Sequence, residues 1–295
     1  MLVEAQPLLD RLPKGSVVAQ EGLDQPTWIV AREHLLELCR DLRDNPKTRF
    51  DMLLDLCGVD FPDRSDEDGG RFEAVYHLYS LPRGERLRLK VPITEADPVL
   101  PSLVTIWKAA DWFEREAWDL FGFKFTGHPN LRRILTHDGF QGHALRKDYD
   151  AARRWILTED KIYSPKLEAP ENSDSMFERM TINIGPSHPA MHGTFRMVAM
   201  LDGDQIVASE MEVGYLHRCF EKMSESHTWQ QVIPYTDRLN YCSSFINNVG
   251  YCRTVEQMLG IEAPPRAVWA RTILSEFSRI MDHCVCNGST LVDLG

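Results

Sequence analysis

The stretch WFEREAWDLFGFKFTGHPNLRRILTHDGFQGHALRKDY, residues 112–149, decides how the first half of the chain is interpreted. It begins as a charged helical segment that Gly122 is expected to stop, because glycine commonly ends helices. A loop dense in arginine, histidine and lysine follows. As chemistry alone, these charges predict a surface patch of ion pairs, each worth under about 1 kcal/mol. No pairing of a nucleophile with a base emerges, which argues against an active site here.

The residues before this stretch alternate between helical and extended patterns. Apolar residues from Trp28 to Arg43 recur at a broadly helical spacing and predict a first helix. Turns that are charged or contain Gly or Pro bound three predicted strands, at residues 50–57, 72–81 and 87–93. A helix is predicted over residues 103–121. Residues 1–150 are therefore expected to form an α/β sandwich-like domain, followed by a linker over residues 151–179.

The residues after the linker change from strand to helix character. MTINIG, TFRMVAMLDG and QIVASEMEVG alternate in polarity and end in turn residues, so they predict three strands of a small antiparallel sheet. Helices are predicted at residues 216–225, 236–259 and 266–291, and the last carries an apolar stripe. Residues 180–295 are expected to form a second domain in which this sheet leads into a helix bundle. The whole chain is predicted to be of the α+β class.

Composition narrows the classes of function. A formal net charge of −11 over 295 residues argues against non-specific nucleic-acid binding, which needs a basic surface. No secretory signal peptide is predicted, and no apolar run approaches the roughly 18 residues of a membrane span. The seven cysteines include no C-x-x-C pair, so neither a disulfide scaffold nor a cysteine-held metal is expected. Any work at a membrane is predicted to go through partners.

The segment GPSHPAMHGTFR, residues 185–196, carries two histidines four residues apart. On a helix such a pair suggests a metal site, but Pro189 and Gly193 oppose a continuous helix and place the pair on a connection between strands. A zinc site would also lack its third ligand and its general base. From the residues alone, loop histidines with structural hydrogen bonds are favoured over a metal site.

Two further segments hold candidate residues. In residues 214–252, GYLHRCFEKMSESHTWQQVIPYTDRLNYCSSFINNVGYC, Arg218 belongs to a charge cluster on a helix face. Tyr241 is expected just inside a helix capped by Thr236, where a tyrosine packed in the core is the plain interpretation. The last segment, STLVDLG at residues 289–295, contains Asp293.

The first stretch resembles the signature of the 30 kDa (C) subunit of complex I, the respiratory NADH:quinone oxidoreductase. That signature is an E-R-E-x-x-D-x-x-G run followed by H-P-x-L-R-R and G-H-x-L-R-K-D. The subunit holds no cofactor in that family and serves as a docking element, which is what the resemblance implies for residues 1–150. The positions that fill the pattern are Glu114, Arg115, Glu116, Asp119, Gly122, His128, Pro129, Leu131, Arg132, Arg133, Gly142, His143, Leu145, Arg146, Lys147 and Asp148.

Residues 180–295 resemble the first part of the 49 kDa (D) subunit of the same enzyme. The shared motifs are G-P-x-H-P-x-x-H-G, G-Y-L-H-R-G-x-E-K and P-Y-x-D-R-L-[DN]-Y. The resemblance implies that His192 reaches the quinone headgroup, that Tyr241 hydrogen-bonds the quinone and that Asp293 contacts the histidine. It also implies that His188 belongs to the binding site and that Arg218 approaches the terminal iron–sulfur cluster.

One position departs from the D pattern, because Cys219 stands where the family usually has glycine. The D family is itself related to the large subunit of nickel–iron hydrogenases, so the sheet and bundle are expected to begin a fold of that kind. Those enzymes hold their metals with two C-x-x-C pairs, whereas RLNYCSSF here offers Cys242 alone. A nickel–iron centre is therefore not expected.

The resemblance implies a fused C/D subunit, incomplete in its D part, of a bacterial proton-translocating NADH:quinone oxidoreductase. Quinone would be its substrate, with flavin and iron–sulfur clusters on partner subunits. The expected partners are other peripheral-arm subunits, including the one that carries the terminal cluster, and membrane-arm subunits, at the cytoplasmic face of the inner membrane. The incomplete chain alone is expected to be inactive. The alternatives are a docking or assembly fragment without catalysis and, less favoured, a hydrogenase relative.

Overall fold

The computed structural model describes residues 11–20, 24–65, 69–153, 167, 179–187 and 193–295. The chain divides into two compact units, Met1–Tyr163 and Ser164–Gly295. Both units combine strands with helices, which confirms the predicted α+β class. The likeness to a hydrogenase large subunit stays a prediction. Most of the predicted linker, residues 151–179, lies outside the described residues.

The first unit is built on a sheet whose described strands lie in the spatial order β1-β2-β5-β4-β3. Strands β3, β4 and β5 form an antiparallel meander, in which Tyr76 lies opposite Leu56 on one side and Leu89 on the other. Strand β2 pairs parallel with β5 and antiparallel with β1. A separate parallel pair joins β6 to β7. The strands are β1 (Val17–Gln20), β2 (Thr27–Val30), β3 (Met52–Asp60), β4 (Phe72–Ser80), β5 (Glu85–Ile93), β6 (Val99–Pro101) and β7 (Lys124–Thr126).

Two helices supply the rest of the core of this unit. Helix α1 (Leu35–Asp44) buries Leu35, Leu38, Cys39 and Leu42, and helix α2 (Ala110–Phe121) lies over β3. The approach of α2 depends on Gly58, because a Cβ at this position would meet the Phe121 ring at 2.5 Å. The largest fully buried side chains include Trp28, Phe72 and Tyr76 of the strands and Leu35, Leu38 and Leu42 of helix α1.

Strands β4 and β5 lie where the sequence predicts them, but two other predictions in this unit were wrong. Residues 28–30 belong to β2 rather than to a helix, and α1 begins only at Leu35. Both faces of β2 are largely covered, so its apolar residues do not alternate with polar ones. Periodicity alone cannot distinguish such a short apolar run from a buried helix. Helix α2 begins at Ala110 rather than at Leu103, whose N–H is bound by the Glu114 side chain instead.

The second unit begins with the predicted antiparallel sheet of three strands. Strands β8 (Met180–Ile184), β9 (Arg196–Asp202) and β10 (Gln205–Glu212) are ordered β10-β9-β8. A bulge between Ile206 and Ala208 shifts the β9–β10 register by one residue. The shift places Arg196 opposite Glu212 at the open end of the sheet.

Helices follow the sheet, with more interruptions than the sequence predicts. They are α3 (Phe220–Ser224), α4 (Trp229–Thr236), α5 (Ser244–Leu259) and α6 (Pro265–Leu294). The single helix predicted over residues 236–259 was wrong, because α4 ends at Thr236 and a 3-10 turn, Tyr241–Ser243, precedes α5. Side-chain bonds replace the helical ones in this break: Asn240 donates to Ser243 Oγ at 2.6 Å.

Helix α6 exposes most of its apolar side chains. Trp269 is 70% exposed and Phe277 59% exposed, whereas Ser278 is buried. Contiguous exposed apolar surface of this kind marks an interface in a protein of ordinary composition. None of the helices in the described ranges combines the length and the apolar character that a membrane span requires.

Candidate functional site

The stretch that the sequence singles out, residues 112–149, contains most of helix α2 and the loop that follows it. Gly122 ends the helix in the left-handed conformation, with φ of 84°, as predicted. Glycine is needed there for a second reason, since a Cβ would come within 2.6 Å of His143 Nε2 and 2.8 Å of Arg146 Nη2. Arg146 in turn donates to the carbonyl of Phe121 at 2.7 Å. The loop is therefore folded back onto the end of the helix.

Asp119 is the centre of this arrangement. Its side chain is fully buried, and its Oδ1 accepts from Arg133 Nη1 at 2.6 Å and from Thr136 Oγ1 at 2.5 Å. Its Oδ2 accepts the backbone N–H groups of Ile134, Leu135 and Thr136 at 2.9–3.1 Å. Burial alone would raise the pKa of Asp119, but the bonds from Thr136 and Arg133 hold that pKa below its usual value. One carboxylate thus fixes the whole turn at residues 133–136.

Arg115 of the stretch, and two charged residues of the sheet region, also bond to the loop inside the unit. Arg115, 6% exposed, donates to the carbonyls of Arg132 and Arg133. Asp60 binds Arg71 through both carboxylate oxygens at 2.8 and 2.9 Å and accepts the N–H of Lys147 at 2.7 Å. The interpretation as a patch of weak surface ion pairs was therefore wrong. These charges hold the loop to the helix and the sheet.

Glu114 and His128 form a second buried cluster. Glu114 Oε1 accepts the N–H of Leu103 at 2.6 Å, while Oε2 is buried with no hydrogen-bond partner among the described residues. His128 Nε2 lies 4.0 Å from that oxygen and 3.0 Å from the carbonyl of Asp111. The N–H of Asn130 donates to His128 Nδ1, so Nε2 carries the ring proton. Burial raises the pKa of Glu114 to about 7.

This pKa predicts a pH-dependent stability. The folded protein holds the Glu114 proton more tightly than the unfolded chain. The resulting stabilisation of the folded state is fully present below pH ~4.3 and is lost as pH rises towards 7. Glu114→Gln removes the ionisation and should make the variant more stable than wild type above pH 7, by on the order of 2–3 kcal/mol. Urea unfolding at pH 5 and pH 8 measures the difference. Equal pH dependence of the two proteins would contradict the expectation.

The second unit carries the residues predicted to bind quinone, and the structure describes only some of them. His188 and His192 lie outside the described residues. Asp293 lies in the last turn of α6, but its side chain is outside what the structure describes. Tyr241 is 55% exposed rather than packed in the core, and Thr236 ends a helix instead of capping one. The 3-10 turn that carries Tyr241 packs against α6, the helix that carries Asp293.

Arg218 is exposed and lines a cavity of about 220 Å³ together with Cys219, Tyr235, Arg238 and Leu239. Cys219 has φ of 50°, the left-handed region that glycine adopts without strain. The backbone at this position therefore keeps the conformation that the expected glycine would favour. This volume is below the usual 300–1,000 Å³ of small-molecule sites.

A polar cluster that sequence patterns do not reveal lies at the open end of the second sheet. Arg196, Glu212, Asn183 and Tyr215 are joined there by hydrogen bonds. Facing positions on adjacent strands could have suggested the Arg196–Glu212 pair, but the bulge in β10 hides its register. Among the described residues, no group of three or more His, Cys, Asp or Glu side chains could hold a metal ion.

Comparisons with known proteins agree with the motifs. Residues 28–154 match the family described as respiratory-chain NADH dehydrogenase, 30 Kd subunit. The chain is 50% identical to the C/D subunit of the NADH-quinone oxidoreductase of Bdellovibrio bacteriovorus over 84% of its own length and 43% of that protein. It is 41% identical to the C/D subunit of Acidiphilium cryptum over 95% of its own length and 50% of that protein.

A solved trypsin-resistant fragment of Nqo5 is 31% identical, covers 44% of this chain and all of that one, and superposes with a TM-score of 0.37. The chain spans about half the length of the curated relatives that it matches. The family model matches part of the first unit, and the sequence alignments with these two relatives extend over 84% and 95% of the chain. Residues 28–154 therefore match the 30 kDa subunit family, and the chain over most of its length is similar to about half of the NADH-quinone oxidoreductase C/D subunits.

Proposed function

We propose that the second unit contributes side chains to the quinone-reduction site of NADH:quinone oxidoreductase, and that the first unit docks neighbouring subunits. The observation that carries the first part is the position of Tyr241 on a 3-10 turn between α4 and α5, in the same unit as Asp293 of α6. Tyr241 is exposed, so its hydroxyl is available to a ligand. We assign residues 1–150 to the docking domain and residues 180–295 to the quinone domain.

The proposed chemistry is proton delivery. Reduction of a quinone to a quinol takes two electrons and two protons, so the site needs donors that titrate or hydrogen-bond near the two carbonyl oxygens. His192 would supply one proton, because histidine titrates near neutral pH, and the Asp293 carboxylate would stabilise its charged form. Tyr241 would donate to the second carbonyl. His188 would line the same cavity.

The electrons would come from NADH through flavin and iron–sulfur clusters on partner subunits. Arg218 and Arg238 line one wall of the 220 Å³ cavity, and their charges favour an electron-rich group beside them. We assign Arg218 to the side of the terminal cluster.

Replacement of Tyr241 tests the proposed quinone role. Quinone turnover by the assembled complex should fall, while NADH reduction of an artificial acceptor should persist.

The docking role needs an outward-facing anchor, since most of the charges of residues 112–149 are used internally. Trp112, 46% exposed on α2, is the large aromatic side chain that this stretch offers to a partner. Trp and other aromatic residues carry much of the binding energy of interfaces. The partners we propose are peripheral-arm subunits and membrane-arm subunits at the cytoplasmic face of the inner membrane.

Trp112→Ala in a full-length version should therefore reduce the assembled complex about tenfold or more, as expected for loss of an anchor worth roughly 2 kcal/mol. Native gels of the membrane fraction measure the amount. Leu81→Ala is the matched control, because Leu81 is 65% exposed in the same unit but lies outside the stretch. Equal assembly of both variants would contradict a docking role for Trp112.

A further inference from the structure

Three strands of the second unit end in one polar cluster. Arg196, the first residue of β9, donates from Nε and Nη2 to Asn183 Oδ1 at 3.1 and 2.8 Å. Its Nη1 donates to Glu212 Oε2 at 3.0 Å, and this oxygen also accepts from the Tyr215 hydroxyl at 3.0 Å. The two charged side chains are only 24% and 17% exposed, so water screens the pair weakly.

The cluster joins two segments that are distant in sequence. Asn183 lies in β8 just before the connection at residues 185–195, and Arg196 comes directly after it. Glu212 ends β10, and Tyr215 lies three residues before Arg218. Arg196 thus holds both ends of the connection together, while Glu212 attaches them to the segment that leads to the cavity wall.

We infer that Arg196 and Glu212 are positioning residues, which set the spacing between the adjoining ends of β8 and β9 and the Tyr215–Arg218 segment. This inference rests on the proposed function, in which this part of the second unit borders the quinone. An ordinary cross-strand pair would join two strands only. The Arg196–Glu212 pair uses three donor atoms of Arg196 and also binds Tyr215, which lies beyond the sheet. Loss of the pair should therefore move the ends of β8 and β9 relative to the segment that leads to the cavity.

The charge of Glu212 has a measurable second effect. The pKa of Tyr215 is raised mainly by burial and next by its hydrogen bond to the Glu212 carboxylate. Replacement of Glu212 by glutamine keeps the shape of the side chain and removes its charge. The Tyr215 phenol should then titrate at lower pH, which gives a signature of the broken cluster that does not depend on turnover.

The test uses Glu212→Gln in a full-length version within the assembled complex. A distorted cavity binds the ground state and the transition state less tightly by the same factor. The KM for quinone should therefore rise about fivefold, while kcat changes less than about twofold. Glu256→Gln is the matched control. This variant breaks the Arg271–Glu256 pair, which joins α5 to α6 through bonds of 2.5 and 2.8 Å. The pair is buried to a similar degree, with side-chain exposures of 27% and 23%. Its KM for quinone should stay that of the wild type.

The outcomes separate this inference from the proposed function. An unchanged KM in Glu212→Gln, with turnover lost in Tyr241→Phe, overturns the positioning role alone. Normal quinone turnover in both Tyr241→Phe and His192→Ala overturns the proposed function and this inference with it. Equal loss of assembly and of artificial-acceptor reduction would make Glu212 a folding residue and overturn the inference. Tyr215→Phe, which removes one hydroxyl, should still raise the KM, by about twofold.

Discussion

Asp119→Ala should lower the free energy of unfolding of the first unit by about 3–5 kcal/mol, the usual cost of leaving a buried charge without its partner. The substitution removes the acceptor of Arg133 and of three backbone N–H groups at residues 134–136. The Asp119 carboxylate is fully buried, and the Arg133 side chain is only 11% exposed. The variant should therefore release the turn at residues 133–136 before the sheet unfolds.

Chemical denaturation followed by hydrogen exchange of β4 and of residues 133–146 measures both effects. Glu33→Ala serves as the control, because it breaks the Arg32–Glu33 contact at 3.2 Å, in which Glu33 is 65% exposed. Such exposed pairs are worth under about 1 kcal/mol. Since the pKa of Asp119 is lowered in the folded state, its stabilisation is present above pH ~4 and is lost in acid. A loss below about 1 kcal/mol for Asp119→Ala would contradict the account.

Asp293→Asn should slow quinone turnover about tenfold to a hundredfold, if the pair that it forms with His192 acts at the rate-limiting step. The asparagine keeps the shape and removes the charge, so the histidine becomes harder to protonate. Loss of one charge-assisted hydrogen bond is worth roughly 1.5–3 kcal/mol, which gives this range. Tyr241→Phe should have an effect of the same order, through the lost donor to the second carbonyl.

Steady-state turnover with a soluble quinone measures this effect in the assembled complex. Reduction of an artificial acceptor by NADH, and the amount of assembled complex, are measured in the same preparations. A fall in all three quantities together would show a folding defect. A selective fall in quinone turnover is the expected result, and a side-chain distance beyond about 12 Å between His192 and Asp293 would break the proposed pair, since a direct bond needs roughly 3 Å.

Much of the fold follows from local patterns. Strand β5 alternates strictly, with Leu87, Leu89 and Val91 buried, and the sequence predicts it within two residues. The three strands of the second unit are predicted in the same way, because each segment alternates in polarity and ends at turn residues. The C-terminal cap at Gly122 is also predictable, since it rests on the conformation of a single residue.

Long-range contacts account for most of the errors. Residues 28–30 form a strand between two partners, the nearby β1 and β5, which lies about sixty residues later. The charged residues of α2 look like a solvated face until the loop at residues 132–136 is placed over Asp119. The Arg196–Glu212 pair was missed because the bulge at Ile206 shifts the register by one, so a regular hairpin would place Met211 opposite Arg196.

The candidate site was predicted from resemblance and only partly from chemistry. Periodicity places Tyr241 inside a helix, whereas the structure puts it on an exposed turn, which suits a ligand-binding phenol better. Side-chain bonds from Asn240 and Asn248 cause this break, and helical spacing carries no information about them. The left-handed backbone at Cys219 explains why glycine is expected there.

The ratio of quinone turnover to artificial-acceptor turnover in Tyr241→Phe tests the central claim most directly. Tyr251→Phe is the matched control, since Tyr251 lies in α5 of the same unit and its hydroxyl only donates to the carbonyl of Trp229 at 3.0 Å. The account predicts a ratio at least about tenfold below wild type for Tyr241→Phe and an unchanged ratio for Tyr251→Phe. A wild-type ratio in Tyr241→Phe, or an equal fall in both variants, would contradict it.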